Sequence, residues 1–125
     1  MTPPMKIGIV GPCAAGKSTL VSGLNKAGIS THHIAQEHSY VPAMWQQITQ
    51  PDLLIYLDVS YEVSIQRRWC NMTPAEFDDQ VKRLTHAMEH ADLYIHTDSL
   101  NPGQVLDHVL NYLSQNGIRL SADPG

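Results

Sequence analysis

The eight residues Gly11-Pro12-Cys13-Ala14-Ala15-Gly16-Lys17-Ser18 complete the spacing G-x-x-x-x-G-K-[ST]. What flanks them restricts the fold as much as the pattern does. An apolar run, Lys6-Ile7-Gly8-Ile9-Val10, leads in, and a helix-compatible stretch, residues 19–27, leads out. A strand turning through glycines into a helix is half of a βαβ unit, which commits the chain to an α/β class around a parallel sheet. The same context gives the motif its chemistry. Successive backbone N–H groups of such a loop form a concave nest for an anion, and the helix N-terminus adds a partial positive charge. Lys17 is expected to reach the β- and γ-phosphates of ATP and to act in catalysis, and the Ser18 hydroxyl to hold Mg²⁺. Gly11, Pro12, Cys13, Ala14, Ala15, Gly16, Lys17, Ser18 and Thr19 are the expected phosphate contacts.

The rest of the chain has the proportions of one globular domain. Its 125 residues, 42% apolar and 16% charged, suffice for a core. A net charge of -4 argues against a general nucleic-acid surface, so phosphate binding has to be local. No apolar run approaches the ~20 residues of a membrane span. Residues 1–6 have no signal-peptide layout, and two cysteines do not make a disulfide framework. A cytoplasmic protein with no nucleic-acid or membrane partner is expected.

Hydrophobic periodicity then divides the chain. Strands are expected at 5–10, 29–35, 53–59 and 92–96, the third being the most apolar. Helices are expected at 17–27, stopped by Gly28, then at 43–50, 61–70, from 73 onward, and at 102–116. Thr73-Pro74-Ala75-Glu76 has the form of a capping box. The helix it opens carries Phe77, Val81, Leu84, Met88 and Ala91 at helical spacing, which predicts that those five are buried. The last helix carries Val105, Leu106, Val109, Leu110 and Leu113 on one face. Residues 1–125 form a single unit with a frayed tail at 121–125, four strands in the order 2-1-3-4, helices on both faces, and a ligand beyond the carboxyl ends of the strands.

The segment Pro51-Asp52-Leu53-Leu54-Ile55-Tyr56-Leu57-Asp58-Val59, with Arg67-Arg68 one helix further on, resembles P-loop nucleoside and nucleotide kinases, the thymidylate-kinase-like proteins most of all. Ala91-Asp92-Leu93-Tyr94-Ile95-His96-Thr97-Asp98 is similar to the last strand and adenine-side loop of that superfamily. The resemblance implies a three-layer P-loop NTPase domain, ATP and Mg²⁺ as cofactors, a short lid near 67–73 with Arg67 and Arg68 beside the transferring phosphoryl group, and Thr97 and Asp98 near the base. The chain departs from the family between Gly28 and Leu53, where only 24 residues stand in for the acceptor-binding helices. Glu37 there takes the place of the family's acidic pair, as a general base or through water to Mg²⁺.

Several residues have two readings. Asp58 ends a strand in the manner of a Walker B acid, yet in the resemblance that position supports the loop. Arg67 and Arg68 point about 100° apart on a helix, so one of them faces the site and the other solvent. His86 and His90 share a helix face, which more often marks a polar stripe than a metal site. His32 and His33 point to opposite faces of a strand and cannot serve one ion. His38 beside Glu37 orients the acid or is a plain loop residue, and Tyr40 and Trp45 either stack on a planar ligand or pack in the core.

Three functional readings stay open. The first is transfer of the ATP γ-phosphate to a nucleoside, nucleotide or similar small acceptor. The second is a nucleotide-binding module or slow NTPase with a reduced acceptor site. The third has a homodimer completing the pocket from a second copy of the chain.

Overall fold

The computed structural model describes residues 6–12, 14–34, 44–48, 51–67 and 72–115. Its elements run β1 (Ile7–Val10), α1 (Lys17–Lys26), β2 (Thr31–His33), α2 (Met44–Ile48), β3 (Leu53–Asp58), α3 (Tyr61–Gln66), α4 (Pro74–His90), β4 (Leu93–His96) and α5 (Pro102–Gln115). The four strands form one sheet in the order β2-β1-β3-β4, and every neighbouring pair is parallel. The expected α/β class and the order 2-1-3-4 are both observed.

Burial explains why β1 and β3 are the apolar strands. They are central, so both faces are covered, and all four residues of β1 are buried. Alternation then assigns side chains to two cores. Ile7, Ile9, Leu53, Ile55 and Leu57 meet Leu20 and Leu24 of α1 and Val105, Val109 and Leu113 of α5. Val10, Leu54 and Tyr56 meet Trp45 of α2 and Leu84 and Ala87 of α4. Helices therefore lie on both faces of the sheet.

Local chemistry starts the later helices where the residue pattern asks for it. The Thr73 Oγ1 accepts from the Glu76 N–H at 3.2 Å, and the Glu76 carboxylate accepts from the Thr73 N–H at 3.0 Å. Those bonds hold the Glu76 carboxyl below its ordinary value, the backbone bond most of all. Asn101 and Gln104 make the same reciprocal pair at the start of α5, with distances of 2.8 and 2.9 Å. Ser60 caps α3 by accepting from the Val63 N–H.

One face differs from its expectation. Phe77, Gln80, Leu84 and Ala87 form the buried stripe of α4, whereas Met88 is 40% exposed and Val81 only partly buried. Stripes at 77/81/84/88 and 77/80/84/87 both satisfy a 3.6-residue period. The helix is rotated towards the second, and the amide of Gln80 takes the place expected for an apolar side chain. The strand expected at 29–35 is shorter, Thr31–His33, and the helix expected at 61–70 ends at Gln66, with Arg67 as its C-cap. Among the described residues no helix is long and apolar enough to cross a membrane.

Candidate phosphate site

Strand β1 ends against the loop at Gly11, where the chain must pass very close to β3. A Cβ on Gly11 would lie 2.1 Å from the Leu57 carbonyl oxygen, so only glycine fits. Further along the loop, Ala14 and Gly16 take positive φ values of 66° and 98°. For Ala14 this left-handed conformation costs about 1 kcal/mol; for Gly16 it is open to the residue without a Cβ. Helix α1 then starts at Gly16 with no side-chain cap hydrogen bond, in contrast to α3 and α4. The positive end of the α1 dipole thus faces the space in front of Gly16 and Lys17.

That space is a cavity of about 740 Å³. Ala14, Ala15, Gly16, Lys17, Ser18 and Thr19 form one wall, and Leu100, Pro102 and Val105 an apolar one opposite. Leu20, His33, Arg67 and Thr97 complete the lining. Lys17 is 6% exposed; its ammonium folds back to donate to the Gly11 carbonyl and, at 3.3 Å, to that of Pro12. Ser18 and Thr19 are exposed.

Arg67 crosses from the end of α3 to the loop. Its Nη1 donates to the Ala14 carbonyl at 2.7 Å and to Thr97 Oγ1 at 3.1 Å, and its Nη2 donates to the Thr97 carbonyl at 2.7 Å. Thr97 is 1% exposed and its hydroxyl donates to the Asp58 carbonyl at 2.9 Å. One guanidinium therefore ties the loop to the end of β4, a task suited to its planar fork of donors.

The acids lie to one side of the cavity. Asp58 accepts from its neighbour's Val59 N–H at 2.9 Å and from the Tyr94 hydroxyl, on the sheet face opposite α1. The His96 ring lies between two carboxylates, with Nδ1 3.6 Å from Asp58 and Nε2 3.2 Å from Asp98. Asp98 also accepts from the Ser60 N–H at 2.8 Å, which joins this cluster to the start of α3. Burial is the largest single influence on the Asp98 carboxyl and pushes it up, but the Ser60 bonds and His96 together hold it below its ordinary value. Burial and then the Asp58 carboxylate push the Tyr94 hydroxyl up to about 12.

The structure thus brings together Gly11, Pro12, Ala14, Ala15, Gly16, Lys17, Ser18, Thr19, Arg67 and Thr97, and directs Asp98 towards Ser60 and His96 instead. Cys13, Glu37, His38, Tyr40 and Arg68 lie outside the described residues. His33, Leu100, Pro102 and Val105 are additions. His33 was within reach of the sequence, because alternation from Thr31 puts it on the α1 face at the carboxyl end of β2. Trp45 is a core residue, 4% exposed, and donates through Nε1 to His86 Nδ1 at 3.0 Å. His86 and His90 stack with centroids 4.3 Å apart, and no group of three metal-ligating side chains occurs among the described residues.

No family model matches the chain, and no curated protein matches it. Among solved structures the chain is similar to an orphan response regulator of H. pylori, at 14% identity and a TM-score of 0.45, over 89% of this chain and 99% of that one. These findings overturn the expected membership of the thymidylate-kinase-like family: the structure found is a response regulator, and no kinase family model or curated kinase matches. With it fall the function as a kinase-like phosphotransferase and the description as an ATP-binding kinase. The response-regulator description is that protein's own and brings no activity to this chain.

Proposed function

We propose that the domain is built on the P-loop NTPase plan and that its cavity is a binding site for the phosphate chain of a nucleotide, with ATP and Mg²⁺ as the ligands to test. The observation that carries this reading is the uncapped start of α1, which opens with Lys17 and Ser18 onto a cavity of about 740 Å³. Amides, a helix dipole and an ammonium converging on one concave surface suit a polyanion better than any neutral ligand. In this reading Lys17 exchanges the Gly11 and Pro12 carbonyls for phosphate oxygens, and Ser18 supplies a hydroxyl to Mg²⁺. The apolar wall of Leu100, Pro102 and Val105 receives the organic part of the ligand. The reading is one of binding and includes no acceptor and no group transfer.

Calorimetry with ATP·Mg²⁺ tests it. The chain should bind, Lys17→Ala should lose at least about tenfold in affinity, as loss of a charge-assisted hydrogen bond requires, and Ser18→Ala should weaken the Mg²⁺ dependence. Equal affinity of the wild-type chain and Lys17→Ala would remove the site.

A further inference from the structure

Four residues line the cavity on its α5 side, Thr97, Leu100, Pro102 and Val105, and their hydrogen-bond donors are all spent within the protein. The Thr97 N–H and hydroxyl both donate to the Asp58 carbonyl, each at 2.9 Å. The Leu100 N–H donates back to the Thr97 carbonyl, and the Val105 N–H to that of Asn101, both at 3.1 Å. Pro102 has no N–H to give.

The two residues expected beside a base are committed in the same way. Thr97 accepts from Arg67 through its hydroxyl at 3.1 Å and its carbonyl at 2.7 Å. Asp98 accepts from the Ser60 N–H at 2.8 Å and lies 3.2 Å from His96 Nε2. This side of the cavity therefore shows a ligand the hydrocarbon of Leu100, Pro102 and Val105. The other polar side chains of the lining, Lys17, Ser18, Thr19 and His33, belong to the first turn of α1 and the end of β2.

Adenine and guanine offer nearly the same ring area and differ at their edges, where one carries an amino donor and the other a carbonyl acceptor. Telling them apart takes polar protein groups aimed at that edge. A hydrophobic surface discriminates only weakly between ligands of one shape. We propose that this cavity takes purine nucleoside triphosphates as a class, without choosing between adenine and guanine. The phosphate chain sits at the loop, the ring lays a face on Leu100, Pro102 and Val105, and its edge atoms keep their water. The inference rests on the phosphate-site reading and adds that affinity comes from phosphates and buried ring area, not from the identity of the base.

Calorimetry on the full chain with the Mg²⁺ complexes of ATP, GTP and inorganic tripolyphosphate tests this. ATP and GTP should bind within about threefold of each other, since the apolar wall meets both rings alike. Tripolyphosphate should bind about tenfold more weakly than either, the scale of losing one buried ring face. Leu100→Ala should weaken ATP and GTP by the same factor, about threefold, because it removes apolar contact and no hydrogen bond to the base. A preference of more than about threefold for either purine, in the wild-type chain or in Leu100→Ala, would overturn the inference. The phosphate site would still stand in that case if tripolyphosphate binds and Lys17→Ala loses it. Absence of binding by all three ligands would overturn the site and the inference together.

Discussion

The Arg67 guanidinium donates at 2.7 Å to the carbonyl of Ala14, the one non-glycine residue at positive φ among those described. The contact joins a strained turn of the loop to a side chain 53 positions away in sequence. An alanine in the left-handed region persists only where its surroundings over-determine it. Here the surroundings are a fork of donors whose other prong is on Thr97, itself hydrogen bonded to Asp58 at the end of β3. The shape of the loop thus depends on the ends of two strands and a helix as well as on its glycines.

Arg67→Ala should therefore weaken ATP·Mg²⁺ binding by about tenfold and lower stability by about 1–3 kcal/mol, the range for losing hydrogen bonds to a charged group. Relaxation of the Ala14 strain offsets part of that cost. A double-mutant cycle with Ala14→Gly should show the two substitutions to be non-additive by about 0.5 kcal/mol or more, as for residues in contact. Additive effects in chemical denaturation would mean that Arg67 does not brace Ala14.

Gly11 meets the opposite constraint, one of space. With the Leu57 carbonyl 2.1 Å from a Cβ at that position, Gly11→Ala has to push the loop away from β3. Over-packing of this kind typically costs about 1–3 kcal/mol. The expected outcome is a lower Tm together with loss of phosphate binding. Gly16→Ala, where a Cβ meets no atom within 4 Å but φ is 98°, should fold and bind more weakly. A Gly11→Ala chain with the wild-type Tm would show that β3 gives way easily.

Much of this was legible beforehand, and the reasons differ from element to element. β1 and β3 were readable because a strand covered on both faces must be continuously apolar, and the start of α4 because Thr73 and Glu76 satisfy each other's amides. The rotation of α4 was not, since its polar Gln80 competes with Val81 for the same stripe and only the packed sheet decides. The tie from Arg67 to Ala14 and Thr97 was beyond reach for a related reason: pairing across 53 and 30 positions follows from the strand order together with the path of α3. The kinase resemblance failed because it rested on local blocks such as Ile55-Tyr56-Leu57-Asp58, whose continuous apolar run any buried parallel strand would share.

Two groups beside the site should leave a mark on the pH dependence of stability. The Tyr94 hydroxyl is raised from 10.0 to about 12. A raised value means that the protonated form is favoured by folding, so this contribution is whole below about pH 10 and is lost as pH climbs through about 12. The Asp98 carboxyl is lowered from 3.8, so its contribution is whole above that value and disappears as pH falls below it. Denaturation profiles of Tyr94→Phe should be flatter than wild type on the alkaline side only, and those of Asp98→Asn flatter on the acid side only. Wild-type slopes in both variants would show that the ring–carboxylate cluster is not coupled to folding.

Helix α2 has five residues, Met44–Ile48, too short to hold its shape by its own hydrogen bonds. Its order has to come from tertiary contacts, and Trp45 supplies them. The indole is buried with Val10, Leu54, Leu84 and Ala87 in the core beneath α4, and its Nε1 donates to His86 of that helix at 3.0 Å. Trp45→Ala should cost about 3–5 kcal/mol, the scale of truncating a buried aromatic side chain. His86→Ala, which removes only the acceptor and part of a ring contact, should cost about 1 kcal/mol. Because the two side chains touch, the double variant should lose less than the sum, by about 0.5 kcal/mol or more. Hydrogen exchange offers an independent reading: in Trp45→Ala the amides of Met44–Ile48 should lose protection while those of β1 and β3 keep theirs. If α2 stays protected in that variant, something other than the indole holds it to the sheet.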